Sequence, residues 1–477
     1  MSQNDFLAAL PIEIVSVMAL AVMLADALSP RNTRLTSILS MLGLIGGIVG
    51  ACVTIFADLH GFGGLIAGGG TPNVYDIVFC SAGLLTVMLA RDYLTRIGAM
   101  YDEFYTLLMM SVAGMMLMAH ANDFMILFVG LEVMSIAFYV MAGLMRKSLS
   151  SNEAAMKYFL LGAFASGFLL YGIALIYGAV GGTGYDVLAT GVVKSGFPFL
   201  LWSGVGLVIV GLGFKVAAFP FHQWAPDVYQ GAPTVVTGFM STAGKAAAFA
   251  GFVGAMAPVL ASGAQGAANA RLVLGLLAAA SMLVGNITAI AQTNIKRMLA
   301  YSSIAHAGYM LIGLASGTLT GYGGIVYYLA AYLFMQIGAF AIVGVLERED
   351  GTGLAISGYR GLGRRRPAVA MIMSIFMFSL TGLPPFAGFF GKYTLFASAV
   401  ASDMTWLAIV GVLSSVISAW FYLGLVVEMF FREPETTTGA EGEGAFTGMV
   451  GSALAIALAG ALLVGFLPGY ILHVARL

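Results

Sequence analysis

The chain of 477 residues is 60% hydrophobic and only 9% charged, against about 25% charged in an ordinary soluble domain, which excludes a water-soluble globule. With 21 Lys and Arg against 22 Asp and Glu, the formal net charge of -1 provides no field to attract nucleic acid. Two cysteines, Cys52 and Cys80, each inside an apolar run, exclude a disulfide framework and a thiolate cluster for zinc or iron–sulfur.

A helix needs about 20 apolar residues to cross the hydrocarbon core of a bilayer. In chain order such runs fall at 7–29, 35–57, 75–91, 104–120, 122–145, 155–180, 199–219, 233–260, 271–292, 298–316, 321–346, 367–400, 405–431 and 447–470. They predict an all-α polytopic membrane protein with about 14 transmembrane helices in a single membrane domain, 1–477. The runs are too long and too uniformly apolar for barrel strands, which alternate over about ten residues. The first run contains Glu13 and Asp26 and lacks a basic n-region, so it reads as a retained span and not a signal peptide. The glycine-rich GFGGLIAGGG at 61–70 lacks the strand-to-helix context of a phosphate loop and reads as loop.

Basic residues test the count, because cytoplasmic loops collect Lys and Arg. Numbering loops alternately, one side receives Arg31, Arg34, Arg91, Arg96, Arg146, Lys147, Lys296, Arg297, Arg348, Arg360, Arg364, Arg365, Arg366 and Arg432, and the other only Lys194, Arg271 and Arg476. One missed or invented span would swap every later loop and destroy this asymmetry. Both termini then face away from the cytoplasm. The two longest loops, Glu347 to Arg366 and Arg432 to Gly444, read as solvated connections. Four lysines remain assigned to the membrane: Lys157, Lys215, Lys245 and Lys392.

Two runs are too long for one straight span and are interrupted by proline. GFKVAAFPFHQWAPDVYQGAP carries Pro220, Pro226 and Pro233, and SLTGLPPFAGFFGKYTLF carries Pro384 and Pro385; each proline removes a backbone donor and clashes with the preceding turn. Interrupted spans in matching positions of two halves point to an inverted-repeat transporter. Helices 4–8 (104–260) and 9–13 (271–431) are the expected repeats, with broken helices 7 and 12. They follow a three-helix region, 1–103, and precede a C-terminal helix, 445–477. Lys215 lies five residues before Pro220, whereas Lys392 lies eight after Pro384, a mirror placement.

Glu132 sits near the middle of its span, Lys245 about a dozen residues into another among small side chains, and Lys215 and Lys392 flank the breaks. Each charge at a helix centre costs roughly 2.5–3.5 kcal/mol on insertion scales, so these side chains must face the bundle interior. A structural ion pair or a snorkelling lysine accounts for one such lysine, but a single glutamate needs one partner and not three. A lysine can carry a proton if desolvation offsets its preference for the charged form, by roughly 4.6 kcal/mol to bring it to neutrality. A carboxylate about 4 Å away contributes up to about 4 kcal/mol in the opposite sense. Approach and withdrawal of Glu132 can therefore switch a buried lysine between holding and releasing a proton.

Supporting candidates are weaker. Lys157 follows Glu153 at i,i+4, the favourable helical order, so a pair near the cytoplasmic surface competes with a role in proton uptake. His306 is an interior imidazole, suited to a relay or to packing in a hydrogen-bonded core. His222 in PFHQW either gates the seventh-helix break or satisfies its freed carbonyls. His60, His120 and His473 at span ends read as hydrated.

GFKVAAFPFHQWAPDVYQGAPTVVTGFMSTAGKAAAF and QTNIKRMLAYSSIAHAGY resemble the signatures of the antiporter-like membrane subunits of respiratory complex I, shared with multi-subunit sodium/proton antiporters. The resemblance covers nearly the whole chain. Lys392, where an M-type sibling has glutamate, and a chain stopping after span fourteen without a lateral helix resemble the N-type branch. The resemblance implies a proton channel in which Glu132 on the fifth helix pairs with Lys215 on the seventh, Lys245 is central, and Lys392 leads to the exit, with Lys157, Glu153 and His306 along or beside the path. It implies NADH, flavin, iron–sulfur clusters and quinone in partner subunits and no cofactor or metal in this chain. It further implies neighbouring M-type and small K-type subunits, and a bacterial inner membrane rather than a mitochondrial one. A subunit of a sodium/proton antiporter and a structural membrane scaffold are the competing readings.

Overall fold

The computed structural model describes residues 3–29, 32–348, 353–433 and 448–469; Arg31, His473, Arg476 and most of the 432–444 segment lie outside them. The first three spans are α1 (Gln3–Leu28), α2 (Thr33–Thr54) and α3 (Gly70–Arg96). Helices α4 (Glu103–His120), α5 (Phe124–Ala142) and α6 (Leu149–Val180) follow, then a short α7 (Tyr185–Lys194). The seventh span is broken into α8 (Pro198–Lys215) and α9 (Trp224–Gly231). The eighth is one continuous span made of α10 (Thr234–Phe239), a π-helical turn (Met240–Gly244) and α11 (Lys245–Leu260). Then come α12 (Gln265–Ile290), α13 (Ile295–Ser316), α14 (Leu319–Leu346) and a one-turn α15 (Leu362–Arg365). The twelfth span is α16 (Pro367–Thr381) and α17 (Ala387–Ala401), followed by α18 (Thr405–Phe431) and α19 (Gly448–Phe466).

Among the described residues, thirteen helices are long and apolar enough to cross a membrane, the seventh span being represented by α8 alone. The twelfth run is the exception because it is divided into two 15-residue helices, each about 22 Å long against a hydrocarbon core of about 30 Å. The glycine-rich 61–70 segment departs from the loop expected of it. Leu59–Gly61 (β1) and Ile66–Gly68 (β2) form an antiparallel hairpin, with Phe62 and Gly63 at positive φ in the turn, a conformation that glycine adopts without a Cβ clash.

Loop contacts bear out the alternation of loops between two faces. At one end the hairpin meets the α4–α5 turn, where Asn122 donates to the Leu65 and Gly64 carbonyls, and Asp123 bridges to Gly184 beyond α6. At the other end a cavity of about 890 Å³ is bounded jointly by Ile97, Arg146, Lys147, Asn294 and Arg348, which belong to four different loops or helix ends. The latter is the arginine-rich face.

Small residues let the spans of each half approach closely. A Cβ on Gly114 of α4 would lie 2.7 Å from the Gly130 carbonyl oxygen on α5, and the reverse substitution meets Gly114 at the same distance. In the second half, Gly285 of α12 is pressed in the same way against the Tyr301 carbonyl and the Ala305 amide of α13. The first helix pair of each five-helix set thus packs alike, as a repeat requires. Because α5 carries Glu132, Ser135 and Tyr139, the Gly114–Gly130 contact also sets where those groups sit. Gly130→Val is expected to lower thermal stability by about 1–3 kcal/mol or more, the cost of overpacking. Gly424→Ala, whose Cβ meets nothing within 4 Å, should not; thermal midpoints of the two purified variants check this.

Candidate functional site

The two breaks place their freed backbone groups inside protein, as lipid demands. At the first, the Trp224 indole N–H donates to the Phe214 carbonyl across the gap at 2.9 Å, and the Phe219 amide donates to Ser281 Oγ on α12 at 2.9 Å. The Trp224 ring stacks on Tyr158 of α6, with centroids 4.4 Å apart. His222 lies half-buried in this gap against the Phe219 ring, 5.4 Å between centroids. At the second, α16 ends on Gly382 at φ +87°, a left-handed cap.

Both lysines beside the breaks sit at the carbonyl end of a half-helix. Lys215 is the last residue of α8, and its Nζ donates to Ser135 Oγ (2.8 Å) and Tyr139 OH (3.1 Å) on α5. Lys392 reaches back from α17 to the end of α16, donating to the Thr381 carbonyl (2.8 Å), the Leu380 carbonyl (3.3 Å) and Ser415 Oγ (2.8 Å), with its Nζ 4.6 Å from the Tyr309 ring centroid. The negative end of a helix dipole favours a cation, so each break supplies part of what its lysine loses on leaving water. The residues are 7% and 4% exposed.

Lys245 follows the π turn directly, a distortion often found at functional sites. It is 2% exposed, and its ammonium donates to Ser303 on α13 through Oγ (2.6 Å) and the main-chain carbonyl. From there one face of α13 leads on, since Ser302, Ser303, His306 and Tyr309 recur at helical spacing. Ser302 is hydrogen-bonded to Tyr422 OH. His306 bridges Tyr422 OH at Nε2 (2.9 Å) and Tyr328 OH at Nδ1 (2.6 Å). Asn286 donates to Tyr309 OH (3.1 Å) and to Ser414 Oγ (2.7 Å), next to the Ser415 that holds Lys392. Between Lys245 and Lys392 the structure thus places His306 and several buried hydroxyls that sequence reasoning did not single out, with the Tyr309 ring lying against both His306 (5.8 Å between centroids) and the Lys392 ammonium.

Other expected pairings differ. Glu132 does not touch Lys215; it accepts a 2.5 Å hydrogen bond from Ser166 Oγ on α6, while Lys215 is held by α5 hydroxyls. Glu153 does pair with Lys157 at 2.7 Å, but Lys157 also bridges to Asp227 on α9 (2.7 Å), which Arg297 grips from α13 at 2.6 Å. Three members of this network, Glu153, Lys157 and Asp227, line the arginine-rich cavity, which relocates Lys157 from the membrane interior to its mouth.

Three residues assigned to solvent are buried. Lys296 is 1% and Glu347 4% exposed. Lys296 donates to the Ala232 carbonyl at 2.6 Å, and Glu347 accepts from Tyr93 OH (2.7 Å) and Thr234 Oγ1 (2.6 Å). Neither could be told from a loop charge by position, because both stand at the very end of an apolar run. His120 is fully buried and hydrogen-bonded at 2.8 Å to the equally buried Asp76 of α3. An Asp one turn and a half into an apolar span was the available signal.

A helical bundle with two interrupted spans and a chain of buried lysines, hydroxyls and one imidazole is the architecture of an ion-translocating membrane subunit. The family model described as NADH:quinone oxidoreductase/Mrp antiporter, transmembrane, matches residues 121–418. A curated relative, NADH-quinone oxidoreductase subunit N 1 of Chloroherpeton thalassium, is 45% identical over 90% of each chain. Subunit N of Trichlorobacter lovleyi is 44% identical over 98% of this chain and 95% of its own. Among solved structures, a chain of respiratory complex I from Thermus thermophilus with bound aureothin superposes with a TM-score of 0.83 at 35% identity, covering 97% of this chain and 98% of that one. A chain of the Mrp complex from Dietzia sp. gives 0.87 at 20% identity over 100% and 97%, a likeness of fold. The chain belongs to the NADH:quinone oxidoreductase/Mrp antiporter family of membrane subunits, and its curated relatives at 40–45% identity are N subunits.

Replacing His120 by Ala leaves Asp76 buried without its partner and should destabilise by about 3–5 kcal/mol. The double variant with Asp76→Asn should recover much of the loss, which a thermal-unfolding double-mutant cycle measures.

Proposed function

We propose that this chain is a proton-translocating membrane-arm subunit of an NADH:quinone oxidoreductase. It couples NADH oxidation and quinone reduction, carried out by partner subunits that hold flavin and iron–sulfur clusters, to proton transfer along its own buried groups. The observation that supports this reading is the succession of buried polar groups between Lys245 and Lys392, in which Lys245 is bonded to Ser303, His306 to Tyr328 and Tyr422, and the Tyr309 ring lies against both His306 and Lys392. M-type and small K-type subunits are its proposed neighbours. The arginine-rich face is assigned to the cytoplasm by the basic-residue rule, which puts the termini on the periplasmic side of a bacterial inner membrane.

In this mechanism Glu132 and Lys215 are the switch. Held apart, with Glu132 on Ser166 and Lys215 on Ser135 and Tyr139, neither charge satisfies the other. A displacement of α5 by a neighbouring subunit brings them together, which neutralises Lys215 and lets Lys245 hold a proton, and their separation restores the Lys215 charge, which disfavours the ammonium at Lys245. Lys245 then gives up its proton along the α13 face. His306 can take a proton at one ring nitrogen and release one from the other, with Tyr328 and Tyr422 as partners. Lys392 receives the proton at the second break and discharges it to the outer side. One charge moved against 100 mV requires about 2.3 kcal/mol, less than the up to about 4 kcal/mol of a close lysine–carboxylate contact.

A sodium/proton antiporter would use the same buried groups. The 45% identity to an N subunit, against 20% to the Mrp chain, favours the redox-coupled reading. Sodium-dependent pH changes in vesicles without NADH would favour the other. Lys245→Ala in the assembled complex is expected to suppress proton pumping and coupled quinone reduction together. An unchanged proton-to-electron stoichiometry in that variant would overturn the single-channel mechanism.

A further inference from the structure

We propose that Glu347 is the group that takes protons from the arginine-rich cavity and delivers them to Lys245; this rests on the proton-translocating reading above. Three carboxylates line that cavity, Glu153, Asp227 and Glu347. The first two are held by Lys157 and Arg297. Glu347, at the inner wall, has no ion pair within 4.0 Å among the described residues. Its hydrogen-bond partners are the hydroxyls of Tyr93 and Thr234.

The difference matters for a proton carrier. A carboxylate in a salt bridge must break the bridge to accept a proton. Hydroxyls both donate and accept, so the ring formed by Glu347, Tyr93 and Thr234 survives protonation with only a reversal of hydrogen-bond direction. Charges from the packed helices stand nearby without closing on it. Lys296 of α13 is engaged by the Ala232 carbonyl, and the Arg96 guanidinium of α3 lies 5.9 Å from the Tyr93 ring centroid and donates to the Gly344 carbonyl.

Thr234 begins the helix that leads to Lys245. Thr234, Thr237, Ser241 and Lys245 follow at intervals of three, four and four, each about one helical turn on from the last, with Ser241 inside the π turn that leads into Lys245. All four are buried. The eleven residues span about 16 Å, and positions separated by one turn stand roughly 5–6 Å apart, within reach of one bridging water each. In the proposed step an O–H bond of a cavity hydronium breaks as the Glu347 O–H forms. Glu347 then loses that proton to the hydroxyl line while the Lys245 amine gains one, and the carboxylate is restored.

A staple joining α3, α10 and α14 would use the same hydrogen bonds, so the test must separate the two roles. In the assembled complex in vesicles, with the arginine-rich face accessible, Glu347→Gln keeps the size of the side chain and a carbonyl acceptor for both hydroxyls. Proton translocation is expected to fall at least about tenfold, the lower range of lost acid–base function, while NADH oxidation with an artificial electron acceptor is unchanged. A small permeant weak acid, azide or formate, supplied on that face should restore translocation, and Glu347→Asp should retain it. Wild-type translocation in Glu347→Gln, or a loss in an assembled complex that weak acid does not restore, overturns the proposal. Normal pumping by Lys245→Ala measured in parallel would instead overturn the reading beneath it.

Discussion

The constraint on which the rest depends is that neither a bare backbone carbonyl nor a bare ammonium can face hydrocarbon. The protein meets both demands with one contact. Where α16 stops inside the bundle, its last carbonyls are left without partners, and Lys392 turns back from α17 to take them. Where α8 stops, Lys215 is itself the final residue. A break in a helix is thus paired with a lysine, and the lysine is kept in place by groups that interact with its charge but do not neutralise it. Neutral partners leave the proton free to move, which a tight carboxylate pair would not.

Everything around the axis serves to hold these neutral partners in position. Ser135 and Tyr139 are set by the close glycine contact of α4 with α5, and Ser303 and His306 by the matching contact of α12 with α13. A π turn immediately precedes Lys245, whose ammonium meets Ser303 of α13. One ion-pair network lies at the mouth, where Glu153, Lys157 and Asp227 line the cavity and Arg297 holds Asp227. At depth, Lys215, Lys245 and Lys392 are held by neutral ligands, while His120 and Asp76 form the buried pair described above.

The fold was largely readable in advance because membrane burial writes itself into composition. Span number, the two breaks and the identities of Glu132, Lys215, Lys245 and Lys392 follow from long apolar runs, proline positions and the rarity of charge. Lys296, Glu347 and His120 were misread as solvated, since a charge at the last residue of a run has the same local sequence whether the end is open or covered. Tyr328, Tyr422, Ser303 and Asn286 carried no signal at all, because tyrosines and serines are common in such helices and only their convergence marks them.

By itself, then, the sequence determined how often the chain crosses the membrane, where two of its helices must fail, and which ionisable side chains are forced inward, because each of these is a one-dimensional consequence of excluding polar groups from lipid. Only the tertiary structure decided which of those charges meet. It separated Glu132 from Lys215, placed His306 and its tyrosine partners between Lys245 and Lys392, and drew Glu347 under cover, because contacts between helices distant in the chain depend on packing angles and close glycine approaches that no local pattern encodes.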